Sequence, residues 1–320
     1  MLRETVNRIQ RWLQRATNEW WPQLPMPAPE LFAPAPTGPI DYRRLQRVKL
    51  TDEVNRTLFT GFETHRQGSR GGEEIGWVLL GVRHDDEVLA LATLPAGTAR
   101  SASHVHVRFD SEAQALGSRV VRQKDKRLTI IGVVHTHPGS LRHPSEGDYQ
   151  GDIQWVGRLR GGEGVFGIGT ADGKLAENGN ALGPPHMQTM GKLCFSWYAL
   201  GKDDHRYRRL PVELTPGPDL ARPLHAVWPA IEMYAPALDR LYRLLTGVTL
   251  ESVETPAGPV LTLNLKLAEP GAGLRVLLDR GKVQYYLGRE GQFSVIDPRE
   301  DRLERALYLI LAELAAKVQS

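Results

Sequence analysis

Cysteine is almost absent from this chain: Cys194 is the only one among 320 residues. A single thiol excludes an internal disulfide framework and any zinc site built from cysteines. It also suits a reducing compartment, so a cytoplasmic location is expected. Long apolar runs are missing too. None reaches the ~18 residues that a membrane-spanning helix requires, and no membrane span is expected. Charge of one sign is in short supply: the formal net charge is only +3. The basic residues form no concentrated stripe, so nucleic acid is not an expected partner. Internal repeats are also lacking. What remains is an ordinary globular composition, 41% hydrophobic, in a chain long enough for one large domain or two ordinary ones.

One stretch concentrates the residues that carry chemistry. Positions 130–152 read I-I-G-V-V-H-T-H-P-G-S-L-R-H-P-S-E-G-D-Y-Q-G-D. The run from Ile130 to Val134 has the continuous apolar character of a short buried strand. His135 and His137 end it. Residues i and i+2 of a strand share a face, so both imidazoles can converge on one point. Pro138 and Gly139 stop the strand, and Pro144 breaks the chain again. Ser145 to Asp148 has the S-x-x-D form of a helix start, with Ser145 as N-cap and Asp148 in the first turn. Two histidines and one carboxylate leave the fourth position of a tetrahedral zinc open, as a catalytic zinc site requires.

The spacing H-x-H-x10-D, with Pro138 after the second histidine and Ser145 three residues before Asp148, resembles the motif of the JAMM (JAB/MPN+) zinc metalloproteases. The chain resembles a bacterial, deubiquitinase-like member, over roughly residues 45–215. That family also uses a glutamate on an earlier segment, in a form like E-x-x-G-x-x-x-G. Here Glu73 and Glu74 lie about sixty residues upstream of the histidines. Aligning the V-L-L-G of Val78 to Gly81 puts Glu74 in the catalytic slot, with Glu73 beside it. Trp77 stands where the family usually has glycine, and Gly76 comes one position early. The resemblance implies an α/β fold, a curved mixed sheet with flanking helices. It implies one Zn2+ ion held by His135, His137 and Asp148, with Glu74 as general acid/base and Ser145 as oxyanion donor. It implies peptidase or isopeptidase chemistry on the amide bond after the C-terminal tail of a ubiquitin-like protein. Bacterial members occur in operons with E1-like and E2-like proteins, which makes those the expected partners, or else serve sulfur-carrier pathways.

The residue types lead to the same chemistry. Two neutral imidazoles and one carboxylate leave a Zn2+ site at a net charge of about +1, which favours Lewis acidity. A carboxylate such as Glu74 can take a proton from water and give it to a leaving amine. The Ser145 hydroxyl can serve an oxyanion and still cap the helix. Other roles stay open. His143 is either a stray ligand or an exposed loop residue. Asp152, one turn after Asp148, is either a partner behind the ligands or part of a solvated helix face. Cys194, in K-L-C-F-S-W-Y, reads as a buried strand residue rather than a nucleophile. The alternative function is a metal-binding MPN scaffold without peptidase activity in a multiprotein assembly. Other histidine-based hydrolases fit less well. Metallo-β-lactamase sites continue with Asp-His where this chain has Pro138-Gly139, amidohydrolase sites spread their ligands over a barrel, and zinc deaminases need cysteines. The RadC-like branch has Asn between its histidines and no comparable distal domain.

In chain order, residues 1–21 read as an amphipathic helix with Leu2, Val6, Ile9, Leu13, Ala16 and Trp20 on one stripe. Packing on this chain or a partner competes there with a mitochondrial presequence or a membrane-surface helix. Residues 22–41 are a Pro-rich linker. A JAMM/MPN-like domain is expected over 42–215. It should contain a helix capped by Thr51, a hairpin at 75–82 and 87–94, a strand at 104–109 and a helix reaching about Lys124. The histidine strand, a helix from Asp148, and strands at 164–170, 192–200 and 207–214 complete it. Residues 211–223 read as a second linker. An accessory α+β domain is expected over 224–320: a helix bent or interrupted at Pro229 and Pro236, a four-strand meander and a final helix at about 299–317. That order is shared by RWD and E2-like folds, an analogy of fold alone. Without a cysteine the region cannot form an E2-type thioester. The sequence leaves the oligomeric state open.

Overall fold

The computed structural model describes residues 42–97, 112–172, 184–289 and 292–318. The expected helix at 1–21, the Pro-rich segment at 22–41 and the strand at 104–109 lie outside the described residues. The chain divides into two compact units, one ending at His225 and the other running on from Ala226.

In the first unit, β1 (Arg47–Thr51) buries Val48 and Leu50. Thr51 then caps helix α1 (Asp52–Gln67), its hydroxyl accepting from the Val54 amide at 3.2 Å. Asp52 and Glu53 put negative charge at the positive end of that helix. Val54, Leu58, Phe59 and Phe62 recur every three or four residues and form its buried stripe. The hairpin of β2 (Gly76–His84) and β3 (Glu87–Pro95) follows. Next come α2 (Glu112–Lys124), β4 (Thr129–Thr136), α3 (Glu146–Val156) and β5 (Glu163–Thr170). The unit is completed by β6 (Met187–Met190), β7 (Leu193–Gly201), β8 (Arg208–Arg209), β9 (Val212–Thr215) and the short α4 (Arg222–His225).

The strands form one mixed sheet in the order β6-β7-β5-β4-β2-β3-β1-β9, with β8 paired to β7. The histidine strand β4 lies inside it, antiparallel to β2 and parallel to β5. Strands β2, β5 and β7 are buried almost end to end. Burial on both faces explains why they read as continuous apolar runs rather than alternating ones. Gly132 lets β4 and β5 close up beside the histidines: a Cβ there would lie 1.7 Å from the Val165 carbonyl oxygen. Phe195 receives Phe59 and Phe62 edge to face at 4.9 and 5.9 Å. Trp77 lies against Gly61 of α1, where an added Cβ would come within 2.9 Å of the indole. The bulky residue at the family's usual glycine position is thus accommodated by a glycine on the facing helix.

The expected linker at 211–223 is corrected by the structure, because it is built into the unit. Strand β9 pairs in parallel with β1, Val212 opposite Val48. Asp219 is buried and accepts from the Thr93 amide at 3.1 Å and the Thr93 hydroxyl at 2.5 Å. The prolines flank β9 rather than lie within it, Pro211 before Val212 and Pro216 after Thr215, so no amide of the strand is lost. Strands β1 and β6 also have no counterpart in the sequence reading.

The second unit comprises α5 (Trp228–Leu244), five strands and α6 (Leu303–Val318). The strands β10 (Val248–Thr255), β11 (Gly258–Lys266), β12 (Gly273–Asp279), β13 (Lys282–Arg289) and β14 (Gln292–Ile296) pair antiparallel in sequence order. The meander therefore has five strands where four were expected, a departure from the RWD and E2-like order. Residues Gln292 to Val295 are all exposed, so no buried face marked β14; backbone pairing with β13 alone makes it a strand. Helix α5 runs in one piece through Pro236, and Pro229 occupies its first turn, where the missing amide leaves no helical bond unmade. Leu250, Leu263, Val276 and Leu307 are among its buried core residues. Among the described residues, no helix is long and apolar enough to cross a membrane.

Candidate metal centre

His135 is the penultimate residue of β4, opposite Gly76 of β2. His137 follows, its amide bonded to the Gly169 carbonyl of β5 at 2.8 Å. The two-residue strand period puts both rings on one side, their centroids 5.0 Å apart. The Nε2 atoms face each other at 3.1 Å. Asp148 completes the group: Oδ1 is 3.2 Å from His135 Nε2, and Oδ2 is 3.5 Å from His137 Nε2. Both histidines are buried.

The donor set fits a metal ion. His137 Nδ1 lies 2.7 Å from the Leu141 carbonyl oxygen, a group that only accepts, so Nδ1 carries the proton and Nε2 of the neutral ring offers a lone pair. That lone pair, His135 Nε2 and the Asp148 carboxylate converge within 4.8 Å of one another. Three electron-pair donors at such separations repel unless a proton or a cation lies among them.

Asp148 owes its place to a helix N-terminus. Ser145 caps α3, its Oγ accepting from the Asp148 amide at 3.2 Å and donating to Asp148 Oδ2 at 2.7 Å. The Ser145 amide donates to the same oxygen at 2.6 Å, which closes a capping box. The loop between the ligands is held as well. Arg142 Nε reaches the Asp172 carboxylate at 3.0 and 3.1 Å, and Tyr198 donates to the Arg142 carbonyl at 2.8 Å. These contacts fix the peptide beside Leu141 and so the partner of His137. Arg142, Asp172 and Tyr198 carry no local signal in the sequence, since they meet only through the fold.

The two glutamates part company. Glu73 pairs with Arg70, Nε to Oε2 at 2.8 Å. The next residues join the histidine strand: Thr136 donates its amide to the Ile75 carbonyl at 2.9 Å, and Ile75 donates to Thr136 Oγ1 at 3.0 Å. One step further along that antiparallel register lies Glu74, whose charge acts on His137. His143 is exposed and outside the cluster. Cys194 is buried in β7, and burial pushes its thiol pKa up. Asp152 is half-buried and accepts hydrogen bonds from Trp155 and Tyr207.

Burial opposes ionisation of Asp148, but hydrogen bonds to His135, His137 and Ser145 outweigh it and hold the carboxyl well below its ordinary range. For His137, burial lowers the pKa, but Asp148, the Leu141 carbonyl and Glu74 together leave it raised above 6.5. A metal must displace that proton. Metal affinity is therefore expected to weaken as pH falls through the raised His137 pKa, by about tenfold per pH unit for one proton. Titrations with Zn2+ between pH of about 8 and 5.5 check this; a pH-independent Kd would contradict it.

Residues 58–179 match the family described as prokaryotic homologs of the JAB domain. The matched span contains Glu74, His135, His137, Ser145 and Asp148. No curated protein matches the chain. A protein from Desulfitobacterium hafniense, solved in solution, aligns over 53% of this chain and 94% of its own at 17% identity. Its TM-score of 0.36 marks a superposition too loose to bear on fold or function. The family match falls on the very strands and helix that bring the two imidazoles and the carboxylate together, so a segment similar to the JAB domain spans this part of the chain.

Proposed function

We propose that this chain is a zinc-dependent peptidase or isopeptidase that hydrolyses the amide bond after the C-terminal tail of a ubiquitin-like protein, in maturation or deconjugation. The observation that carries the reading is the convergence of His135, His137 and Asp148 beside the segment that bears Glu74. A zinc ion held there would supply Lewis acidity, making water more acidic and polarising a carbonyl.

The protein's own groups do the rest. His135, His137 and Asp148 would hold the ion. Glu74 takes the proton of the attacking water and passes it to the nitrogen of the leaving amine as the C–N bond breaks. Water oxygen ends up on the carbonyl carbon, so no side-chain nucleophile and no acyl-enzyme is required. Ser145 Oγ, at the positive end of α3, would turn its one hydroxyl hydrogen from Asp148 Oδ2 to the oxyanion.

The substrate class rests on the JAMM resemblance, as do the E1-like and E2-like partners. Among the described residues the second unit holds no group of three metal-ligating side chains, which supports a non-catalytic, partner-binding role for it. The test is direct. Purified protein with zinc should release the C-terminal partner from a linear ubiquitin-like fusion, a chelator should stop the reaction, and zinc should restore it. A zinc-loaded protein that leaves both linear and isopeptide-linked fusions intact would sink the proposal.

A further inference from the structure

Helix α3 carries a second carboxylate one turn beyond Asp148. Asp152 Oδ1 accepts from Trp155 Nε1 at 3.1 Å, and Oδ2 accepts from the Tyr207 hydroxyl at 2.8 Å. Both donors belong to an aromatic wall. The Tyr207 ring lies 5.4 Å from Phe166, 6.2 Å from Tyr149 and 6.3 Å from Tyr198, and Trp155 lies 5.7 Å from Phe166. Among the described residues, no lysine or arginine forms an ion pair with Asp152. The charged groups that act on it are His135 and Asp148, two members of the metal cluster. Burial pushes its pKa up to about 6, despite the Tyr207 hydrogen bond.

A half-buried carboxylate beside aromatic rings, with only neutral donors, is less well solvated than in water and gains from a positive charge nearby. Hydrogen bonds to Trp155 and Tyr207 alone could be served by an uncharged amide, so the fold gives no reason for the charge. The metal centre does. A divalent cation bound by two neutral imidazoles and Asp148 keeps a net charge of about +1. A second carboxylate behind the ligands brings the balance to zero, the arrangement by which outer partners tune and orient metal ligands elsewhere.

We infer that Asp152 is a positioning residue for the metal centre: tethered to Tyr207 and Trp155, its carboxylate holds the helix that presents Asp148 and supplies the counter-charge for a divalent cation on His135, His137 and Asp148. The inference rests on the metal-dependent reading above and adds a residue to it.

The test compares zinc binding and folding in wild type, Asp152→Asn and Tyr207→Phe, with zinc chloride as the only ligand. Asp152→Asn keeps an acceptor for the tether and removes the charge. Its zinc affinity, measured by competition with a chromophoric chelator, should fall about 10–100-fold. Its melting temperature without metal should stay level or rise, while the zinc-induced increase shrinks. Tyr207→Phe keeps the charge and loses one tether, so it should weaken zinc less than Asp152→Asn does. A purely structural Asp152 gives the opposite pattern: a lower metal-free melting temperature with zinc affinity unchanged, which would overturn the role. If Asp152→Asn does not fold, Tyr207→Phe decides, since unaltered zinc affinity with a lowered metal-free melting temperature also overturns it. Failure of the underlying reading is distinct: wild type and His135→Ala would then bind zinc equally weakly, and both inferences would fall.

Discussion

Replacing Glu74 by glutamine is expected to lower the rate of amide hydrolysis by about 10²–10⁴-fold while zinc content stays at the wild-type level. The magnitude is that of a lost general acid/base. The residue is singled out by register. Ile75 and Thr136 exchange hydrogen bonds, so the preceding glutamate runs alongside His137, on which its charge acts. Glutamine preserves size and hydrogen bonding but cannot carry the proton from water to amine. Glu73→Gln is the internal control. Its carboxylate is engaged by Arg70, so its loss should change the rate only slightly. Steady-state rates on a ubiquitin-like fusion, with zinc measured on the same samples, separate the cases. Full activity in Glu74→Gln would move the base elsewhere, to Glu73 first.

His135→Ala should abolish both zinc retention and hydrolysis. Structural zinc sites release about 10–16 kcal/mol over four ligands, so one ligand accounts for about 3 kcal/mol, on the order of 10²-fold in affinity. The fold should survive. His135 is held in the sheet by backbone pairing to β2 and β5, and its imidazole meets His137 Nε2 and the Asp148 carboxylate at distances that favour an ion among them. In chelator, the melting temperature of His135→Ala should equal or exceed that of wild type, and added zinc should no longer raise it. A variant that still binds zinc at wild-type affinity would show that the cluster is not the metal site.

Much of the candidate centre was legible in the chain because local rules generate it. Strand periodicity carries His135 and His137 to one face, and Ser145 and Asp148 form a capping box whose partners are three residues apart. The Thr51 cap and the α1 stripe were readable for the same reason. Misreadings fell where pairing partners are remote. The proline-bearing segment at 211–223 looked like a linker, but β9 finds β1 more than 160 residues away in sequence. The exposed β14 had no apolar periodicity to reveal it.

The sequence by itself determined the candidate ligand types, their spacing, and the strand end and helix start that present them, because dihedral preferences and capping act within a few residues. Only the tertiary structure decided which glutamate runs beside His137, how Arg142, Asp172 and Tyr198 hold the loop between the histidines and Asp148, and that Asp152 accepts hydrogen bonds from Tyr207 and Trp155. Those choices depend on sheet register and on contacts between distant segments, which the order of residues along the chain does not display.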